Sequence, residues 1–356
     1  MSNVYRTASA PNSDTVVSAG LLGGIDQRLG RQHLKLDGSL QNNRYSTNSD
    51  LNYRSHSVRA ALDWETVGDL SGLLSAKSDR SMADFNIGGG TAQIFRKNIE
   101  TNEQYQAIAR LGVGTRYTLE GGWTQRKRDF SVEEYDRYVY DQNTGSVAIY
   151  ATPGGNVRLG ISGRRTKGQN PRYPVGTGTQ VNDYTRSDID FTTRWNVGGH
   201  STLNTRISRS RSNNSIDQLR DFSGTTGAIG WTWRPTAKLQ FETQYARDSG
   251  QESVVRATEL NRVYNSWQLS GGYQLTGKLS LNAQATRNRL TRDRDSGDPV
   301  IDALDDTKTH RLGIQWAFSR VLSLTCQYDH ISREHSVSNY AYSASSYGCT
   351  GQAVFF

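Results

Sequence analysis

The sequence predicts an all-β fold, a transmembrane antiparallel up-and-down β-barrel of about eighteen strands built as one domain over residues 1–356. Three observations lead there. Apolar and polar residues alternate with period two along most of the chain, tight turns alternate with longer polar connections, and tryptophans gather at two levels. Composition agrees with the pattern: hydrophobic residues make up only 34% of the chain, with 35 Gly against 6 Pro, and mean hydropathy is -0.70. A chain of this length either lacks a large core or hides its apolar residues in alternation. The aromatic fraction of 10% argues against disorder. No apolar run approaches the roughly 20 residues that a membrane helix requires.

Taken in order, the stretch "NVYR" at 3–6 is a short candidate strand, and a longer one follows near 14–26. "MSNVYRTASA" has no apolar core of a secretory signal, so Met1 is read as a processing start. At 33–41, Leu34, Leu36 and Leu40 alternate with Lys35, Asp37, Ser39 and Gln41. Over 115–126, Tyr117, Leu119, Gly121 and Trp123 oppose Arg116, Thr118, Glu120, Thr124 and Arg126. Val157, Leu159 and Ile161 oppose Arg158, Ser162 and Arg164, and Ile189, Phe191 and Trp195 oppose Asp188, Asp190, Thr192 and Arg194. The clearest run is 278–288, where Leu279, Leu281, Ala283 and Ala285 alternate with Ser280, Asn282, Gln284 and Thr286.

Periodicity alone fits a soluble sandwich as well, but the connections do not. Tight turns are expected near 27–30, 66–69, 113–114, 152–155, 197–200, 235–237, 276–277 and 319–320. Longer polar connections are expected near 46–50, 83–98, 130–136, 168–183, 212–219, 250–261, 292–306 and 334–342. Short periplasmic turns and longer extracellular loops produce this alternation in an outer-membrane barrel. Eight of each make seventeen strands, and "NVYR" supplies the eighteenth, pairing with the last so that no edge stays open. Trp64, Trp195, Trp231, Trp233 and Trp316 fall close to tight turns, whereas Trp123 and Trp267 fall well away from them. Those are the two girdles of a membrane band. The closing run "SSYGCTGQAVFF" at 345–356 ends on Phe355 and Phe356, as a last strand held at an interface does.

The chain resembles the outer-membrane β-barrels encoded with exopolysaccharide operons, the EpsL type, which are β-barrel porin 2-like. The resemblance lies in "NVYR", "LGRQHLKLDGSLQNNRY" at 29–45, "NSDLNYRSHSVRAALDW" at 48–64, "FSRVLSLTCQYDHISRE" at 318–334 and "YGCTGQ" at 347–352. It implies an outer-membrane pore for a secreted polysaccharide, partnered by a periplasmic polysaccharide-export protein. These are strand and turn patterns, so they assign no functional residue.

Residue chemistry points away from catalysis. His330 follows Asp329 directly, and strand neighbours point to opposite faces, while His33, His56, His200, His310 and His335 are scattered. Gly23-Gly24, Gly121-Gly122 and Gly271-Gly272 fall inside strands, so they bend the wall and do not cradle phosphate. No cofactor or metal motif and no nucleic-acid motif is present, so a formal net charge of +8 is left to lipopolysaccharide, an acidic substrate or solubility.

Face parity sorts the charges. Lys35, Arg59, Arg116, Arg126, Arg158, Arg164, Arg194, Arg206 and Arg311 share the polar face with Asp37, Asp63, Glu120, Asp188, Asp190 and Glu242, which predicts a mixed, Arg-rich lumen. Arg165, Arg209, Arg211, Arg287 and Arg289 share the lipid-facing parity and lie high, where lipopolysaccharide phosphates are the natural partners. Cys326 and Cys349 fall at nearly the same height on the last two strands, both facing outward, which allows a disulfide in an oxidising compartment. The functional expectation is a passive polysaccharide conduit, with a diffusion porin or a sheath around a periplasmic electron carrier as alternatives.

Overall fold

Alternation becomes strand through most of the described residues. The computed structural model describes residues 1–8, 11–85, 95–216, 218, 221–249, 263–291, 305–335 and 341–354. Within them lie seventeen strands: β1 (Val16–Leu29), β2 (Gln32–Tyr45), β3 (Tyr53–Glu65), β4 (Leu70–Met82), β5 (Ile99–Leu111), β6 (Tyr117–Phe130), β7 (Tyr140–Gly154), β8 (Val157–Val175) and β9 (Gly178–Val197), followed by β10 (Ser201–Asn214), β11 (Phe222–Trp233), β12 (Leu239–Ser249), β13 (Val263–Gln274), β14 (Leu279–Thr291), β15 (Asp305–Ala317), β16 (Leu322–His335) and β17 (Tyr342–Ala353). Each pairs antiparallel with the next in sequence. Short turns close one end, several on left-handed glycines: Gly30 at φ 61°, Gly114 at 93°, and Gly198 and Gly199 at 59° and 74°.

The sheet has two chemically opposite faces. On β9, Ile189, Phe191 and Trp195 are 67%, 46% and 43% exposed, while the intervening Asp188 and Asp190 are each 3% exposed. Large apolar residues in water would be unfavourable at this density, so the exposed face is the one that meets lipid and the buried polar face lines the lumen. The described residues carry no central apolar core. Two small apolar clusters sit at the loop end instead, one around Tyr135 and Tyr138, the other around Val4, Leu51 and Phe85.

Three expectations need correction. The stretch at 168–183 is not a loop: β8 and β9 continue as one long hairpin that turns after Val175, with Gly176 at φ 58°. The stretch reads as a polar connection, yet it holds strand geometry, with a register shift between Asn170 and Tyr173 accommodating Pro171. Among the described residues the eighteenth strand does not form either. Asn3 and Arg6 take left-handed backbone, at φ 52° and 53°, which breaks an extended run. Residues 1–4 still lie between the two end strands: the Ser2 amide donates to the Ser345 carbonyl at 2.8 Å, and the Asp14 amide donates to the Met1 carbonyl at 3.0 Å. Third, Arg116 sits in the bend ahead of β6, outside the strand wall. The expected loop at 292–306 and the terminal Phe355 and Phe356 fall mostly or wholly outside the described residues.

Cys326 and Cys349 are directly opposite on β16 and β17. A disulfide joins them, with α-carbons 4.0 Å apart.

Candidate functional site

The lumen face of β8 to β12 is a lattice of crossed charges. Asp190 accepts from Arg164 Nε at 2.8 Å and Nη2 at 3.1 Å, from Ser162 at 3.2 Å and from Ser208 at 2.5 Å. One row on, Asp188 accepts from Arg186 Nε at 2.9 Å and 3.0 Å and from the Ser210 hydroxyl. Arg206 reaches Asp248 at 2.5 Å. Serines at 208 and 210 are what make this possible, because short side chains leave room for long guanidinium stems to lie flat over them. Carboxylates this deeply buried demand such partners. The lattice stiffens the wall and leaves hydrogen-bonding edges along the channel.

Other expected lumen residues are placed one by one. Glu120 receives Arg110 Nε at 2.6 Å. Arg126 donates to Gln104 at 3.3 Å. Arg158 stacks over the Tyr150 ring at 4.0 Å, and stands opposite Arg194 in the register. Arg311 pairs with Asp329 at 2.6 Å. Arg59 stands opposite Asp37 and Lys77, while Asp63 stands opposite His33. Lys35 Nζ is 3.9 Å from Asp26. Glu242 lies between Thr232 and Ser270, with no ion-pair partner among the described residues.

Several members were missed by the sequence reading. Arg186 and Asp248 belong to the lattice, and buried pairs join Arg128 to Glu100 at 3.0 Å and Arg333 to Asp305 at 2.7 Å. Arg186 was findable, since it shares parity with Asp188 and Asp190 in an uninterrupted run. The others sit near strand ends, where register cannot be read from one strand alone.

Toward the turn end the lumen wall of β12 to β16 opens into a cavity of about 610 Å³ lined by Gln240, Glu242, Asn282, Gln284, Arg311 and Gln327. Its floor is lowered where Gly272 faces open space, and Asn282 folds over Gly313 so closely that a side chain there would collide with it. Amides, a carboxylate and a guanidinium around this hollow offer paired donors and acceptors.

No protein-family model and no curated protein matches the chain. Solved structures do. The ferric preacinetobactin receptor BauA of Acinetobacter baumannii aligns over 95% of this chain and 71% of its own at 11% identity, with a TM-score of 0.52. FpvA of P. aeruginosa, solved with heterologous pyoverdines, aligns over 96% and 59% at 11% identity, with a TM-score of 0.51. The chain is an outer-membrane β-barrel. OpdL of Pseudomonas aeruginosa aligns over 97% of this chain and 93% of its own at 11% identity, with a TM-score of 0.47. Against the outer-membrane receptor FauA of Bordetella pertussis and the iron transporter FrpB of Neisseria meningitidis the chain spans 63% and 61% of their length. These likenesses concern the fold. The barrel places the chain in the bacterial outer membrane, its apolar face in the bilayer and its charge lattice on the lumen. Among the described residues, no group of three His, Cys, Asp or Glu side chains comes together to hold a metal, and no helix is long and apolar enough to cross a membrane.

Proposed function

We propose that this outer-membrane barrel is a passive conduit for a secreted polysaccharide, working with a periplasmic polysaccharide-export protein. The observation that carries the reading is the amide-lined hollow on the turn-side lumen wall around Gln240, Gln284 and Gln327. Sugar hydroxyls exchange hydrogen bonds with amides and guanidinium groups one at a time, so such a wall offers a sliding polymer many weak sites and no deep trap. The resemblance to the EpsL type supports the same substrate class. Deleting the gene in its own host should abolish surface polysaccharide while repeat-unit synthesis continues. Unchanged secretion, together with fast and unselective swelling of proteoliposomes in small sugars, would make the chain a diffusion porin.

A further inference from the structure

Of the five outward-facing arginines expected to meet lipopolysaccharide, Arg289 stands opposite Asp306 in the register, and the other four divide into two kinds. Arg287 is already neutralised, with Nη2 2.5 Å and Nε 3.0 Å from Asp306. Arg165, Arg209 and Arg211 are exposed and none has an ion pair among the described residues. On the same strands the alternate arginines that face the lumen, Arg164, Arg186 and Arg206, each hold a carboxylate. Among the described residues the three outward cations hold no carboxylate, unlike these lumen-facing neighbours, so they are open to an anion from outside the protein, because lipid itself offers an unpaired charge nothing.

Register fixes their arrangement. Reading outward-facing rows across β8, β9 and β10 from the turn end, Val157, Trp195 and Leu203 come first, then Leu159, Thr193 and Thr205, then Ile161, Phe191 and Ile207. The next row is Gly163, Ile189 and Arg209, and the one above is Arg165, Ser187 and Arg211, followed by Lys167, Thr185 and Asn213. Chemistry therefore changes from apolar to cationic within two rows, at the extracellular edge of the band. Arg165 and Arg211 flank Ser187 in one row, about 10 Å apart across two inter-strand steps. Gly145 stands opposite Arg165 on β7, and both Gly145 and Gly163 face open space, which leaves a notch beside Arg165. The nearest outward carboxylates on these strands, Asp141 and Asp183, stand opposite Gln169, two rows beyond.

We propose that Arg165, Arg209 and Arg211, with Lys167 beside them, form a site for the phosphates of one lipid A molecule, whose acyl chains lie on Ile161, Ile189, Phe191 and Ile207. Planar guanidinium groups bind phosphate in two-pronged fashion, the notch at Gly145 and Gly163 admits a sugar ring, and the apolar rows below continue as an acyl-chain bed. This site stands on the outer wall and is independent of what passes through the lumen.

The test uses the whole barrel purified in detergent and analysed by native mass spectrometry with defined lipids: bisphosphorylated lipid A, its phosphate-free counterpart, and phosphatidylglycerol as a phosphate-bearing lipid without the disaccharide. Wild-type protein should retain bisphosphorylated lipid A about ten-fold better than either other lipid, and R165Q/R209Q/R211Q should lose that ten-fold preference. R287Q, whose parent side chain is already paired, should keep it. Equal retention of phosphate-free lipid A by the wild type overturns the site without recourse to any variant. Undiminished preference in a triple variant that still shows folded, heat-modifiable migration overturns the residue assignment. Equal retention of phosphatidylglycerol means a general anion patch and overturns the lipid A assignment.

Discussion

Asn48 donates twice to Asp14, from its backbone amide and from its side-chain nitrogen, each at 2.8 Å to Oδ2. The other oxygen accepts from the amides of Thr15, Ser46 and Thr47 at 2.7, 3.1 and 3.0 Å. One carboxylate thereby ties residues 1–14 to the connection between β2 and β3. Burial alone would raise its pKa, but the hydrogen bonds from Asn48 and then Thr47 and Thr15 outweigh it and hold the group at about 2, down from 3.8. A folded pKa below the unfolded one gives stability that is complete above the unfolded value and is lost as pH falls through the folded one. Amide exchange at 1–8 and 46–48 should therefore stay slow at pH 5 and speed up between about pH 4 and pH 2. In Asp14→Ala it should be fast at every pH; a flat profile in the wild type would show that the carboxylate does not hold this end.

Much of this was legible in the sequence, and the limits have physical causes. Faces could be read because the strand period is two: the parity of Asp188 and Asp190 against Ile189 and Phe191 was sufficient. Partners could not, since Asp190 takes Arg164 and Ser208 from two different neighbouring strands, and register is a property of pairs. The upper part of the β8–β9 hairpin was hidden because residues 168–183 are mostly polar and glycine-rich, without the apolar alternation that marks the lipid-facing part of a strand. The break at Asn3 and Arg6 was invisible because a left-handed backbone there is favoured by local bonds, the Thr7 amide donating to Asn3 Oδ1 at 2.9 Å and Asn3 Nδ2 donating to the Thr7 carbonyl at 2.8 Å.

Ion selectivity follows from the residual charge of the lumen wall. Arg164, Arg186 and Arg206 are cancelled by their carboxylates, whereas Arg158 and Arg194 face each other across β8 and β9 without an ion pair among the described residues. The pore should therefore prefer anions. Reversal potentials in a salt gradient across a planar bilayer measure this, and R158Q/R194Q should move the value toward zero. Cation preference in the wild type would mean that acids outside the described wall set the field.

Breaking the lattice should also cost stability. Asp190→Ala would leave Arg164 without its two-pronged partner and Ser162 and Ser208 without their acceptor, at a cost of roughly 3 kcal/mol. Urea unfolding of the reconstituted barrel reads the change directly. A loss under about 0.5 kcal/mol would mean that water replaces the pair freely and that the wall is wetter than its burial implies.

The contact between Ser2 and Ser345 offers a sharper test of how the ends of the sheet are joined. Besides the amide-to-carbonyl bond from Ser2, the Ser345 amide donates to the Ser2 hydroxyl at 2.8 Å, and the Asn3 side chain donates to the Ser343 carbonyl at 3.0 Å. With Asp14 bonded back to Met1, residues 1–3 hold the loop ends of β1 and β17 together. Cysteines at positions 2 and 345 should therefore cross-link in folded S2C/S345C under mild oxidation, in a background where Cys326 and Cys349 are replaced by alanine. Failure to link in the folded barrel would detach the N-terminal residues from β17.

Removing the natural disulfide should be mild. Its loop spans a sequence separation of 23 residues, for which chain entropy gives about 3 kcal/mol in a chain with no other closure. Here the β16–β17 ladder, running from Leu322 opposite Ala353 to Arg333 opposite Tyr342, already holds the two strands together. The bridge therefore constrains an unfolded state that closes this short hairpin readily, and C326A/C349A should lower unfolding stability in urea by less than those 3 kcal/mol, by roughly 1–2. Folding and assembly into vesicles should survive. A variant that cannot refold without the bridge would show that the ladder is not self-supporting and that the two cysteines set its register.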